Sequence, residues 1–340
     1  MNILFDLSHP AHVHFFKNAY RILIKRGHNV KIAARDKDVT LQLLKDLDIP
    51  HQAISKIGKG LIGLGIELLQ HETRLGKIAR DFRADVILEI GGTFIVHAGK
   101  LLGIKTIVFT DTEHAKLSNM ITFPFADYIC TPESYHDDIG KKHIRYNGYQ
   151  ELAYLHPNYF RPNPSVLSEL GIRPSERYFI LRFVSWGASH DIGKKGISAE
   201  NKIKLVQGLE KIGRVLITSE SRLPDVLKSY QISVSPIHIH DLLYFAHMYI
   251  GEGATMATEA ALMGTPSIYI NPLGSGNLSE IIERYRLMVH ITDGNIAYDQ
   301  IIDLAASKNL EILQKSHHED FINEKIDVTK WMVELIESLG

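Results

Sequence analysis

Tyr249-Ile250-Gly251-Glu252-Gly253-Ala254-Thr255-Met256-Ala257-Thr258-Glu259-Ala260-Ala261-Leu262-Met263-Gly264-Thr265-Pro266 is the stretch whose reading decides the fold. Met248, Tyr249 and Ile250 close an apolar run of strand character. Gly251 and Gly253 then permit a tight turn and a close backbone approach to a ligand. Ala257, Ala260, Ala261 and Leu262 follow at helical spacing, and Gly264-Thr265-Pro266 ends the helix. Ser267 to Ile270 supplies the next strand, which completes a βαβ unit. The helix N-terminus of such a unit offers free backbone N–H groups to an anion. Glu259 lies on the first or second turn, where a carboxylate is suited to sugar hydroxyls and not to a phosphate. An ordinary βα turn with a solvated glutamate explains this stretch equally well.

Outward from this unit, 340 residues suggest two domains at about 150 residues each. The content is 45% hydrophobic and 23% charged with a net charge of −1, the values of an ordinary globular chain and not of a nucleic-acid binder. A single cysteine, Cys130 in an apolar run, excludes an intrachain disulfide and a cysteine-cluster metal site. Met1 to Asp6 reads as a strand and not a leader, and no apolar stretch reaches the length of about 20 residues that spans a bilayer. A cytoplasmic protein is expected.

Buried strands are expected at Ile3–Asp6, Val30–Ala34, Val86–Ile90, Thr106–Phe109 and Tyr128–Cys130, with helices between them. The segment from Ser55 to Gly65 reads as a loop before a helix over Glu67–Phe82. Alternation at this density predicts an α/β fold with a doubly wound parallel sheet. Pro157, Pro162 and Pro164 mark a connection, after which the alternation restarts at Tyr178–Val184 and Val215–Thr218, with a further run at Ile232–Val234. The expected organisation is a first Rossmann-like domain over 1–150, a linker over 151–175, a second over 176–320, and a C-terminal helix over 321–340 lying back on the first. Ligand loops at the carboxyl ends of two such sheets would face one central cleft.

Several loops carry residues with chemistry. His9, His12 and His14 follow the first strand with Asp6 and Ser8, and histidine is suited to acid, base or donor roles. Competing readings there are a helix cap and a metal held by His12 and His14. Asp111, Glu113 and His114 stand after the strand ending at Phe109, as an acid/base set or as helix-capping acids. Gly91 and Gly92 open a helix after the third of these strands. Ser185-Trp186-Gly187-Ala188-Ser189-His190 would bring N–H groups to a phosphate, with Lys194 and Lys195 adding charge, yet no Walker or dinucleotide fingerprint occurs. Asp241 reads as a helix cap. Gly60 to Ile66 reads as a packed loop, and alternatively as the contact for a lipid-linked acceptor.

Three segments together resemble the GT-B superfamily. His9-Pro10-Ala11-His12-Val13 is similar to the family's first loop, Gly91-Gly92-Thr93 through Ala126-Asp127 to its next signature, and Gly251 to Pro266 to its donor-nucleotide motif. The likeness is to the N-acetylglucosaminyltransferase that forms lipid II, more distantly to the UDP-N-acetylglucosamine 2-epimerases, and most closely to a domain-of-unknown-function group of that superfamily. It implies a nucleotide-diphosphate sugar as substrate, with no cofactor and no metal. Glu259 would contact the ribose, while Gly251, Glu252, Gly253, Ala254 and Thr255 with Gly187, Ala188 and Ser189 would face the donor. His12, Asp111 and Glu113 would be catalytic, and His9, His14, Gly91 and Gly92 would lie on the acceptor side. The acceptor is unidentified, with a lipid-linked one implying at most peripheral membrane contact at the inner face. His-Pro-Ala-His in place of a glycine-rich turn and Glu252 in place of a serine depart from the transferase, and the epimerase's arginine-rich motif is not visible in 185–193. The expected activity is a metal-independent glycosyl transfer. The alternatives are an epimerase and a non-catalytic nucleotide-sugar-binding protein.

Overall fold

The computed structural model describes residues 1–58, 60–113, 115–185, 196–272, 278–307 and 309–339. The chain divides into two compact units, Met1–Phe160 with Lys325–Gly340, and Arg161–Glu324. The first unit contains β1 (Asn2–Leu7), α1 (Pro10–Lys25), β2 (Asn29–Asp36), α2 (Thr40–Asp46), β3 (Gln52–Lys56) and α3 (Gly60–Phe82). It continues through β4 (Val86–Ile90), α4 (Val96–Leu102), β5 (Lys105–Phe109), α5 (Lys116–Thr122), β6 (Tyr128–Pro132), β7 (His143–Tyr146) and α6 (Leu152–Leu155). The second unit runs through α7 (Ser165–Glu169), β8 (Tyr178–Phe183), α8 (Ala199–Leu209), β9 (Arg214–Ser219), α9 (Ile239–Tyr244) and β10 (Met248–Gly251). There follow α10 (Ala254–Leu262), β11 (Ser267–Ile270), β12 (Met288–Ile291), α11 (Tyr298–Ala306) and α12 (Leu310–Glu324), and α13 (Val328–Glu337) belongs again to the first unit.

Each unit is an α/β layer structure on one parallel sheet. The first sheet has seven strands in the order β3-β2-β1-β4-β5-β6-β7, the second five in the order β12-β11-β10-β8-β9. Every strand pair is parallel, so helices must return the chain and cover both faces. That is why the strands read as continuous apolar runs: Ile3, Leu4, Phe5, Val86, Ile87 and Leu88 are all fully buried. In α1 the buried face is Phe15, Phe16, Ala19 and Leu23. Each fully buried large side chain of this kind contributes roughly 1.5–3 kcal/mol.

Local departures from the sequence expectations have physical causes. Ser55 to Gly65 is not one loop, since β3 runs to Lys56 and α3 begins at Gly60. Glycines there serve contact: a Cβ on Gly58 would lie 2.2 Å from the Gly63 carbonyl oxygen. The run at Ile232–Val234 forms no strand, only an isolated bridge between Ile217 and Gln231. β7 went unforeseen because it is a short edge strand with only Tyr146 buried. The helix expected over 321–340 is two helices. Asp327 breaks it by capping α13 through Lys330 N–H, and Asn147 pins the break by accepting Ile326 N–H on its carbonyl and Lys325 Nζ on its side chain. α13 does lie on the first unit: Trp331 packs 4.8 Å from the Tyr146 ring, and Thr329 Oγ1 donates to the Ala153 carbonyl at 2.6 Å.

Candidate functional site

Strand order alone marks two places. In the first sheet the chain winds from β1 to β2 on one side and from β4 to β5 on the other, so the topology reverses between β1 and β4. In the second it reverses between β8 and β10. Helices leave opposite faces at such a point and leave a crevice outside the carboxyl ends of the strands.

At the first reversal, β1 carries buried Asp6 and leads through Leu7 to Ser8, and β4 carries buried Glu89 before the Gly91-Gly92 turn. His9 caps α1 by accepting Ala11 N–H on Nδ1 at 3.2 Å, with Pro10 in the first turn. It therefore fills the capping role, and Asp38 lies 3.9 Å from its Nε2. His12, one turn in, is buried and accepts Ser8 N–H on Nδ1 at 3.3 Å. Burial, with the charges of His9 and Lys37, pushes His12 down to about 3, so the imidazole is neutral at physiological pH. Because Nδ1 accepts, the proton sits on Nε2, and His12 is equipped as a hydrogen-bond donor. His14, two residues on, turns away: it packs 5.3 Å from the Tyr154 ring with Lys17 Nζ 3.4 Å from Nδ1. His12 and His14 thus face different surroundings, and a metal bracketed by them is not built.

Beneath this loop runs a polar network that sequence reasoning missed. His71 on α3 donates from Nε2 to Asp6 Oδ2 at 2.7 Å and takes Ser55 Oγ on Nδ1 at 2.7 Å. Glu67, one turn earlier on the same helix, binds Arg35 through two hydrogen bonds of 2.5 and 2.6 Å and accepts Gly58 N–H. Phe94 stacks on His71 with ring centres 4.1 Å apart and donates its N–H to Glu89 Oε2 at 3.2 Å. Ser8 Oγ lies 3.3 Å from Glu89 Oε1 and 3.4 Å from His12 Nδ1. The signals were present: an acid inside the run Val86-Ile87-Leu88-Glu89-Ile90, and Glu67 and His71 four apart on one helix.

Gly91 and Gly92 have φ of +83° and +72°, which explains why glycine stands there. Gly92 is also sterically fixed, since a Cβ would lie 2.4 Å from Val108 Cγ2. Asp111 accepts Thr112 Oγ1–H at 2.8 Å, and Glu113 accepts the His136 N–H. Glu113 lines a cavity of about 690 Å³ with Lys116, Met120, Tyr135 and Ile139. The structure joins His12 to Ser8 and Glu89, and places Glu113 on this separate cavity. His114 lies outside the described residues.

At the second reversal, α10 begins directly after the β10 turn, with Gly253 at its N-cap and no side chain capping it. Ala254 and Thr255 are exposed there, and among the described residues no side chain takes the first-turn N–H groups. Gly251 and Gly253 do not have positive φ, and Gly251 is small for its own protein: a Cβ would lie 2.4 Å from Tyr249 Oη and 2.8 Å from Arg182 Cβ. Tyr249 Oη in turn donates to the Gly253 carbonyl at 3.2 Å, fixing the turn.

Glu252, expected at the donor contact, is engaged by the main chain of its own unit. It is buried, and its two oxygens accept Val184 N–H at 3.1 Å and Ile197 N–H at 2.7 Å. Glu252 thereby ties Val184, just past the end of β8, to Ile197, just before the start of α8. Gly187, Ala188, Ser189 and the nearby Trp186, His190, Lys194 and Lys195 lie outside the described residues. Glu259 is buried on the second turn of α10, with Oε1 2.9 Å from His240 Nε2. Asp241 accepts Asn163 N–H at 2.9 Å rather than capping α9. Among the described residues no helix is long and apolar enough to cross a membrane.

The family model described as "Protein of unknown function (DUF354)" matches residues 1–338. The chain belongs to the DUF354 family. A curated relative, an uncharacterised protein of Methanocaldococcus jannaschii, is 22% identical over 339 residues, covering 96% of this chain and 98% of the relative. The structure of a UDP-GlcNAc 2-epimerase from Neisseria meningitidis bound to UDP-GlcNAc is similar with a TM-score of 0.68 at 13% identity, covering 99% of this chain and 100% of that one. A glycosyltransferase from a Streptomyces species, complexed with thymidine diphosphate, is similar with a TM-score of 0.65 at 14% identity and 99% of both chains. At such identities the likeness is one of fold: this DUF354 member has the GT-B architecture of two Rossmann-like units.

Proposed function

We propose that this DUF354 protein is a glycosyltransferase that takes a sugar from a nucleotide-diphosphate sugar, with the β8/β10 reversal of the second unit as the donor site. The observation that carries this reading is the open N-terminus of α10 at that reversal, with Glu259 buried one turn further in. First-turn N–H groups and the helix dipole are suited to the diphosphate, whose negative charge grows as the sugar departs. That supply of dipoles is what makes the reaction independent of a metal in this reading. Ribose hydroxyls would donate to Glu259, which His240 holds in place. The solved neighbours with UDP-GlcNAc and thymidine diphosphate support the ligand class.

In the first unit, either neutral His12, donating from Nε2, or Asp111 and Glu113 would serve as the orienting group or base for the acceptor hydroxyl. The cavity beside Glu113, with Met120, Phe123 and Ile139 among its walls, suits an acceptor with an apolar part. Transfer in synthesis of a surface polysaccharide or glycolipid, at the cytoplasmic side, is the setting this implies.

An epimerase is the second reading, favoured by the similarity to the UDP-GlcNAc-bound enzyme. Incubation with a panel of UDP-, GDP- and dTDP-sugars separates them. Nucleotide diphosphate released only when an acceptor is present, and undiminished by EDTA, is the expected result. Interconversion of the donor without acceptor would establish the epimerase, and binding without any turnover would establish a non-catalytic protein.

A further inference from the structure

Arg145, exposed on edge strand β7, turns its charge to the main chain. Its Nη1 donates to the carbonyls of Glu133, at 3.3 Å, and of Tyr135, and its Nη2 donates to that of Asp137 at 3.0 Å. Three alternate carbonyls of the loop after β6 therefore converge on one guanidinium, and the loop curls round it. β6 and β7 pair in parallel with Thr131 opposite Arg145 and Pro132 opposite Tyr146, which sets the arginine beside the start of that loop. A planar fork of N–H donors in fixed directions suits three such acceptors, whereas an ammonium on a flexible stem does not hold them in one geometry. Among the described residues Arg145 pairs with no carboxylate, so its bonds to the loop are its whole set of contacts with charge or dipole.

One peptide of this loop has both of its edges occupied. The Tyr135–His136 unit is trans, so its C=O and N–H point to opposite sides. The carbonyl accepts from Arg145, and the N–H donates to Glu113 Oε1. A guanidinium and a carboxylate thus stand at the two ends of one peptide dipole, and hydrogen bonds in such a chain strengthen one another. Tyr135 anchors the unit: it is 2% exposed, its N–H donates to the Pro132 carbonyl at 3.1 Å, and its ring lies edge-on to His143. Glu113 comes from the loop after β5, 23 residues earlier, and lines the cavity of about 690 Å³ together with Tyr135 and Asp137. Among the described residues Glu113 Oε2 has no hydrogen-bond partner, which makes it the oxygen available to a ligand there.

We propose that Arg145 is a positioning residue which, through the Tyr135–His136 peptide, fixes the Glu113 carboxylate with Oε1 on the His136 N–H and Oε2 free for the acceptor hydroxyl. Its bearing on transfer rests on the glycosyltransferase reading in which Glu113 serves that hydroxyl; the chain of hydrogen bonds does not. A base or orienting group acts only within hydrogen-bond reach and alignment of its target, and a carboxylate held by one oxygen presents the other in one direction. Without Arg145 the loop carbonyls lose their common partner, the His136 N–H loses its aim, and Glu113 is left in place but free to rotate. The donor loops belong to the second unit and keep their own contacts.

Amide hydrogen exchange of the full chain, read residue by residue by NMR, tests the relay without any substrate. The His136 amide is expected to exchange about 10-fold faster in Glu113→Ala and in Arg145→Ala, and no faster in the double variant than in the quicker single one, because both changes break one chain. A His136 amide as protected in Arg145→Ala as in wild type overturns the proposal, and so do effects of the two changes that simply multiply. Arg145→Lys keeps the charge and the stem but not the fork; its unfolding midpoint should stay near that of wild type while the His136 amide is still deprotected, and it decides alone if Arg145→Ala does not fold. With a donor and acceptor that turn over, Arg145→Ala should lower kcat as Glu113→Ala does and leave the KM for the donor within about twofold. An unchanged kcat in Arg145→Ala refutes the positioning role. Should no nucleotide sugar turn over, the glycosyltransferase reading falls while the exchange data still decide the relay, so the two fail separately.

Discussion

Replacing Glu252 by alanine distinguishes a ligand contact from a structural tie. Its oxygens hold two main-chain donors, Val184 N–H at 3.1 Å and Ile197 N–H at 2.7 Å. The carboxylate and Ile197 N–H are both buried, so water does not readily replace the lost partner. Removing one partner of a buried hydrogen bond leaves a group whose desolvation costs about 1–3 kcal/mol. Two such groups, relieved in part where Val184 is half-buried, put the loss at about 2–5 kcal/mol of stability in the second unit. Urea unfolding followed by circular dichroism reads the total, and hydrogen exchange with mass spectrometry reads the place. Peptides covering Val184 and Ile197 should exchange about 10-fold faster or more, while β1 to β6 remain protected, since about 1.4 kcal/mol of local opening is one decade. Unchanged exchange at both amides, with nucleotide affinity alone lost, would refute this reasoning and return Glu252 to the donor site.

Three further outcomes follow from the first unit. His12 has its native value depressed from 6.5 to about 3, so the wild type loses stability as pH falls through that window, because only the unfolded chain takes up the proton. His12→Gln should remove an acid sensitivity of about 1.4 kcal/mol per pH unit there, checked by urea midpoints of both proteins from pH 7 to 4. Glu89 is raised, so its sign is opposite: its contribution is complete below the unfolded value and falls away as pH rises, and the stability of Glu89→Gln relative to wild type should climb between pH 5 and 7. Gly91→Ala and Gly92→Ala share the strain of positive φ, about 1–2 kcal/mol, but only Gly92→Ala meets Val108, so its melting point should drop clearly further.

Much of this was legible in the sequence where one physical signal dominated. Parallel strands buried on both faces must be unbroken apolar runs, and Val86 to Leu88 or Met248 to Ile250 show it directly. The Gly251 to Pro266 unit was readable because strand, turn and helix signals coincide there. Edge strand β7 was not, since three of its four residues are not buried and carry little pattern. Tertiary partners were the harder part. Nothing local tells that Glu252 reaches across to Val184 and Ile197, 68 and 55 residues away, or that His71 reaches Asp6 over 65. Glu89 was a readable anomaly, an acid in a buried strand, whose meaning needed the strand order to place Asp6 beside it.

The central claim is that the second unit takes a nucleotide-diphosphate sugar at the open end of α10, and calorimetric titration of UDP, GDP and dTDP into wild type and Glu259→Ala tests it most directly. Saturable binding of at least one nucleotide diphosphate, weakened about 10- to 100-fold in the variant by loss of a charged hydrogen-bond acceptor, is the predicted result. A wild type that binds none of them, or a variant that binds as tightly as the parent, would contradict it.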